Sequence, residues 1–257
     1  TMLEHMDEFW LMLPVEAARE QLLRVPALWL TNYAHEWRLR QSIAAHIPAL
    51  IPTILLDDED GCLITLSLLA LNDPVNALRN IGIQCVPITY RTFREHDETI
   101  ADGFLSMLCD MAHASTSRQR TTFLNIVQSL LEHDLSRERF ERLILPCLLE
   151  LVADGVSDVN IALARTVQQV WLLGWYNNET IPEALRQVVA TLLIAPTLTV
   201  QEFMQNLDPP ILTHDMQPMP LNKRHSLVFG PAPPTLDNTI IPMPHSDESE
   251  HSSEVLS

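Results

Sequence analysis

Glycine is scarce in this sequence, with 6 in 257 residues, and extended alternation of β-branched residues is hard to find. Without these marks of a sheet, the recurring apolar spacing of three and four residues points to an all-helical body. Lysine is nearly missing: Lys223 is the one lysine among 16 basic residues, set against 33 acidic ones. The resulting charge of -17 argues against nucleic acid or an acidic membrane as partner, because binding a polyanion relies on Lys and Arg displacing counterions. No apolar run reaches the roughly 20 residues of a membrane span, and no basic region precedes a signal core. The expected location is cytoplasmic, with the nucleus as a second site, unless residues before Thr1 carry targeting information.

Sites of chemistry are lacking too. Cys62, Cys85, Cys109 and Cys147 lie 23, 24 and 38 residues apart in apolar helical runs, without the close pairing of a zinc or thiol-redox motif. They read as buried free thiols in a reducing compartment. The ten histidines, among them His35, His46, His96, His113 and His133, form no HExxH and sit at no ligand spacing from a cysteine. The acidic run Asp57 to Asp60 lacks the glycine and terminal glutamate of a calcium loop, and reads as a solvated connection favouring the next helix start. P-loop, dinucleotide and nucleophile-elbow motifs are absent. A non-enzyme without cofactor or metal is expected.

What the chain does have is a repeated helix, break and helix. In "LELVADGVSDVNIALARTVQQVW", Leu149 to Trp171, an apolar helical rhythm stops at Asp154 to Asp158 and resumes. The same device occurs three times before it. One pair runs from Val15 to Leu30 and from Glu36 to about Leu50, turning at Thr31 to His35. A second runs from Asp60 to Leu71 and from Val75 to Phe93, turning at Asn72 to Pro74. A third starts near Glu98, breaks at Ala114 to Ser117 and ends around His133. The fourth joins Arg139 to Val152 with Val159 to Leu173. Second helices placed at Trp37, Val75, about Arg120 and Val159 are 38, 45 and 39 residues apart.

That is the period of HEAT-type hairpins, about 40 to 47 residues. A lone hairpin cannot bury its apolar faces, and stacking solves this. Val159, Ala162, Leu163, Thr166, Val167 and Val170 form one apolar stripe, and Ala162 with Ala164 would let helices approach closely. Ser157 and Asp158 sit where an N-cap belongs, and Asp73 before Pro74 repeats the device. Pro26, Pro48, Pro87 and Pro146 interrupt helical runs, as kinks or as ordinary helix ends next to proline. Ile181 to Ile194, capped by Thr180, and Val200 to Leu207 form a closing, incomplete unit. The fold expected is an all-α superhelix of about four to five hairpins over residues 1–207. Residues 208–257, with 9 of the 18 prolines and an acidic, serine-rich end, are expected to be a disordered tail.

"HEWRLRQSIAAHIPALI" from His35 resembles the second helix of HEAT repeats in the scaffolding A subunit of protein phosphatase 2A. "LPCLLELVADGVSDVNIALARTVQQV" from Leu145 is similar to the same family's Leu-Pro, Asp-x-Val and Ala-rich pattern. The related HEAT-repeat regulatory subunit 1 of protein phosphatase 4 has this frame as well. Two departures stand out: Asn160 replaces the usual Arg and is expected to lose a turn contact, and the second unit delays its Arg to Arg79. The resemblance implies a non-catalytic scaffold or regulatory subunit for a phosphatase of the 2A or 4 type. It would dock the catalytic subunit, or substrate and adaptor proteins, along a ridge of inner turns. Trp37, Arg38, Pro74, Arg118, Arg120 and Asp158 are the candidate contacts, and Ser226, after a short basic patch, is a candidate phosphorylation site. The alternative is a HEAT-repeat adaptor unrelated to phosphatases, a transport receptor or assembly factor.

Overall fold

The apolar stripe read in the fourth unit is the packing surface that builds the stack. Val159, Ala162, Leu163, Thr166, Val167 and Val170 are all buried on one face of their helix, as is Ala164. Each such Val or Leu contributes roughly 1.5–3 kcal/mol when fully buried. The computed structural model describes residues 24–31, 34–55, 61–133, 135–177, 179–195 and 198–205. The helix start near Val15, the acidic run 57–60, the 207/208 boundary and the tail with Ser226 lie outside these residues.

Among the described residues there is no strand, and the helices form five hairpins. The first pairs α1 (Val25–Leu30) with α2 (Trp37–Ala44) and α3 (Ile47–Ile54). The second pairs α4 (Cys62–Asn72) with α5 (Asn76–His96). The third pairs α6 (Glu98–Cys109), continued by a 3-10 turn over Asp110–His113, with α7 (Ser117–His133). In the fourth, α8 (Arg137–Arg139), a π turn over Phe140–Ile144 and α9 (Leu145–Leu151) precede α10 (Ser157–Leu172). The fifth is α11 (Glu183–Leu193) with α12 (Leu198–Gln205). The last unit is therefore a complete hairpin, because α12 packs on both α11 and α10.

Second helices stack on one another, α3 on α5, α5 on α7, α7 on α10 and α10 on α12. First helices form the other layer, with α1 against α4 and α9 against α11. One hydrophobic core runs through all five hairpins, from Val25 to Met204. This is the HEAT-type α-α superhelix. Its second helices start at Trp37, Asn76, Ser117, Ser157 and Leu198, which are 39, 41, 40 and 41 residues apart. The wider 45-residue interval in the sequence reading came from placing the third of these at Arg120 instead of Ser117.

Local chemistry differs from expectation in three respects. Pro26, Pro48 and Pro146 stand in the first turn of helical segments, where the missing N–H costs nothing, while Pro87 lies inside the continuous α5. The π turn before Pro146 re-spaces the backbone ladder where proline cannot donate. Ser157 and Asp158 lie inside α10, with Val156 at the cap; Asp154 Oδ1 instead accepts the Val156 N–H at 2.9 Å, as Asp73 Oδ1 accepts that of Val75 at 2.8 Å. Thr180 does not cap α11 either. Its hydroxyl donates to Asn177 Oδ1 within the preceding turn, and Pro182 occupies the cap position.

Candidate partner-binding ridge

The inner turns share one construction. The fourth residue of every second helix donates from its side chain to the carbonyl six residues earlier, closing the turn. Arg40 reaches Ala34 O at 2.6 Å, Arg79 reaches Asp73 O at 2.8 Å and Arg120 reaches Ala114 O at 2.9 Å. Asn160 Nδ2 reaches Asp154 O at 3.0 Å, and Gln201 Nε2 reaches Ala195 O at 2.8 Å. Arg79 is thus in register, not delayed, and Asn160 keeps the turn contact expected to be lost. What the shorter side chain gives up is reach beyond its own turn, and Asn160 Oδ1 is left buried without a partner.

That reach matters because two of the arginines also grip the next turn. Arg40 pairs through Nε and Nη2 with Asp73 at 2.8 and 3.2 Å, and the side chains are only 5% and 2% exposed. Arg120 repeats the fork on Asp154 at 2.5 and 3.2 Å. The turn position that supplies the carboxylate reads Ala34, Asp73, Ala114, Asp154 and Ala195 along the chain. The clamps therefore join the first hairpin to the second and the third to the fourth, and skip the junction between. There, Gln119 Nε2 donates to Asn72 Oδ1 at 2.8 Å, an uncharged contact.

Around that junction lies a cleft of about 250 Å³ between the starts of α5, α7 and α10, lined by Asn76, Arg79, Ser117, Arg118, Asn125 and Asp158 among others. Arg79 is held by Asp73 O, Pro74 O and Asn76 Oδ1, none of them a carboxylate. Burial lowers its pKa, the positive Arg118 lowers it further, and Asp73 opposes both. Arg118 is exposed, and among the described residues it forms no ion pair.

The sequence-predicted contacts separate accordingly. Trp37 is 38% exposed at the first inner turn, with the Arg38 guanidinium 5.0 Å from its ring centroid. Pro74 is exposed at the second turn. Arg118 and Asp158 come together at the cleft. Arg120 is placed otherwise: its donors are engaged by Asp154, Ala114 O and Ser115 O, so it holds turns together instead of facing a partner. Arg79 joins the cleft although sequence reasoning passed over it; its signal was the 39- to 41-residue register it shares with Arg40 and Arg120.

A second cluster was invisible to spacing. The thiols of Cys109 and Cys147 both donate to Leu143 O, at 3.5 and 3.6 Å, and His113 Nδ1 lies 3.1 Å from Glu150 Oε2 beside them. The neighbouring Cys109 thiol lowers the Cys147 pKa to about 7, against the effect of burial and with help from the charge of His113. The same pairing, with burial, raises that of Cys109. Among the described residues no group of His, Cys, Asp and Glu forms a metal site, and no helix is long and apolar enough to cross a membrane.

No protein-family model matches the sequence. The chain is 24% identical over 173 residues to serine/threonine-protein phosphatase 4 regulatory subunit 1 of Homo sapiens, and equally to that of Mus musculus. The match covers 66% of this chain, which spans 18% of the length of these curated relatives. Among solved structures, an engineered protein aligns at a TM-score of 0.42 and 12% identity, over 80% of this chain and 86% of that one. A designed armadillo repeat protein in complex with peptide (KR)4 aligns at 0.40 and 13%, over 74% and 83%.

Proposed function

We propose that the chain is a non-catalytic scaffold or regulatory subunit of a serine/threonine phosphatase of the 2A or 4 type, docking the catalytic subunit or its substrates along the inner turns. The observation that carries this reading is the similarity to the phosphatase 4 regulatory subunit, over 66% of the chain. The construction of the turns supports it. Side chains at the fourth helical position rigidify each turn from within, leaving Trp37, Arg38, Pro74, Arg118 and Asp158 to face outward. In this mechanism the metal-dependent dephosphorylation belongs to the partner. The chain contributes binding energy and sets the distance between catalytic subunit and substrate. A cytoplasmic location, with the nucleus as a second site, goes with the proposal.

Affinity capture of the full chain followed by mass spectrometry tests it, alongside a Trp37→Ala, Arg38→Ala double variant. The expected result is a phosphatase catalytic subunit with the parent chain and its loss, by about tenfold or more, with the variant. Removing an exposed aromatic and arginine contact at an interface commonly costs that much. Recovery of transport or assembly factors without a phosphatase would move the chain to the adaptor class and end this reading.

A further inference from the structure

We infer that the cleft at the unclamped junction between the second and third hairpins is a receptor for an acidic peptide segment of a partner protein, with a carboxylate side chain seated between Arg79 and Arg118. The inference rests on the inner turns being a docking ridge, but not on which protein docks there.

The argument begins with the clamps. At two equivalent junctions a guanidinium of one turn is met by a carboxylate of the next, Arg40 by Asp73 and Arg120 by Asp154. At the junction between them Arg79 has the same register, but the position due to supply its carboxylate is Ala114. The positive charge is therefore retained and the anion is missing. Arg118, from the adjacent α7, lines the same cleft with a second guanidinium that has no ion pair among the described residues, and its positive charge acts against that of Arg79. In a chain of net charge -17, two arginines without an ion pair among the described residues, with Asp158 as the one carboxylate lining their cleft, are the opposite of the average surface.

The shape of the cleft sets the ligand class. A volume of about 250 Å³ lies below the roughly 300–1,000 Å³ of drug-sized pockets, and suits one or two side chains of a peptide. Arg118 presents a planar guanidinium fork that matches a carboxylate bidentately, and Arg79, whose Nη1 and Nη2 hold Asp73 O, Pro74 O and Asn76 Oδ1, adds its Nε–H and its charge. Asn76, Ser117 and Asn125 on the walls can donate to and accept from a peptide backbone. Asp158, also in the lining, repels a second carboxylate, so the cleft takes one acidic side chain at a time. Duplex nucleic acid does not fit, because it requires an extended track of cations and the cleft presents two.

The test is fluorescence anisotropy of the full chain with a labelled peptide of alternating Glu and Ala, at about 50 mM salt so that screening is modest, and with the Gln-for-Glu peptide as comparison. The Glu peptide is expected to bind and the Gln peptide not to. Arg118→Gln should weaken binding about tenfold or more, the usual scale for loss of a charged hydrogen-bonding partner. Ala114→Asp should weaken it as well, by supplying the internal carboxylate that Arg79 lacks, while leaving Tm unchanged or higher. Asp158→Asn should tighten it. Arg118 is exposed, and circular dichroism of the variants checks that they remain helical. Failure of the Glu peptide to bind, equal binding of the Gln peptide, or a loss with Arg38→Gln as large as that with Arg118→Gln would overturn the inference. Peptide binding without phosphatase capture would leave the cleft standing and remove the proposed function; phosphatase capture without peptide binding would do the reverse.

Discussion

At the scale of single residues, the fourth position of each second helix has two tasks, and only arginine performs both. Its own turn needs a donor, which Asn160 and Gln201 supply as well as Arg40 does. Joining neighbouring turns needs a longer, charged fork and a carboxylate to receive it. The Arg40 and Asp73 side chains are nearly fully buried, so removal of Asp73 leaves a buried guanidinium without its carboxylate. Asp73→Ala should therefore destabilise the chain by about 3–5 kcal/mol in urea unfolding, losing the Val75 N–H acceptor at the same time. A change below about 1 kcal/mol, the scale of an exposed pair, would mean that water replaces the clamp. The thiols offer a second residue-scale test. A thiolate absorbance titration should show one cysteine ionising near pH 7, the value to which Cys147 is lowered, and Cys147→Ser should abolish that step. Cys85, pushed up to about 12 by burial, should stay protonated through the same range. A first ionisation in the ordinary thiol range, about pH 8.5, would separate Cys147 from the influence of Cys109 and His113.

At the scale of elements, close packing of α4 on α5 depends on one absent side chain. A Cβ on Gly82 would lie 2.7 Å from Leu71 N and 3.1 Å from Ala70 C, both backbone atoms that cannot step aside. An alanine in an ordinary helix interior is more favourable than glycine by roughly 0.5–1 kcal/mol. Here the sign reverses: Gly82→Ala should destabilise by about 1–3 kcal/mol through overpacking, seen as a lower unfolding midpoint. Gly103, on α6, has nothing within 4 Å of such a Cβ, so Gly103→Ala should show the ordinary stabilisation. Equal effects at the two sites would refute the close approach. Helix boundaries show the same dependence on neighbours. Glycine in the left-handed region ends α10 at Gly174, at a φ of 66°, as its sequence position suggests. By contrast, the starts of α5 and α10 are governed by Asx turns at Asp73 and Asp154, three residues before each helix begins, which is why Ser157 looked like the cap and was not.

At the scale of the whole molecule, the described residues form a one-dimensional stack in which each hairpin contacts its neighbours, and so its stability is distributed over junctions. These junctions are unequal. Two carry an arginine fork and a buried or half-buried carboxylate, and the one between them has, in place of a fork, the amide contact of Gln119 with Asn72 and the cleft. The all-helical class, the hairpin order and the period of about 40 residues were determined by the sequence alone, because apolar periodicity and turn residues act within a few positions along the chain. The buried stripe of α10 and the buried Trp29 follow directly from such local patterns. Which arginines are tied and which are open was decided only by tertiary structure. Arg118 and Arg120 are two residues apart and look alike in sequence, yet they differ because Asp154 lies 34 residues beyond Arg120 and reaches it across the stack. The meeting of Cys109, His113 and Cys147 has the same origin. A contact between neighbouring hairpins joins positions about one repeat apart, and no local pattern of residues states which side chains will face each other there.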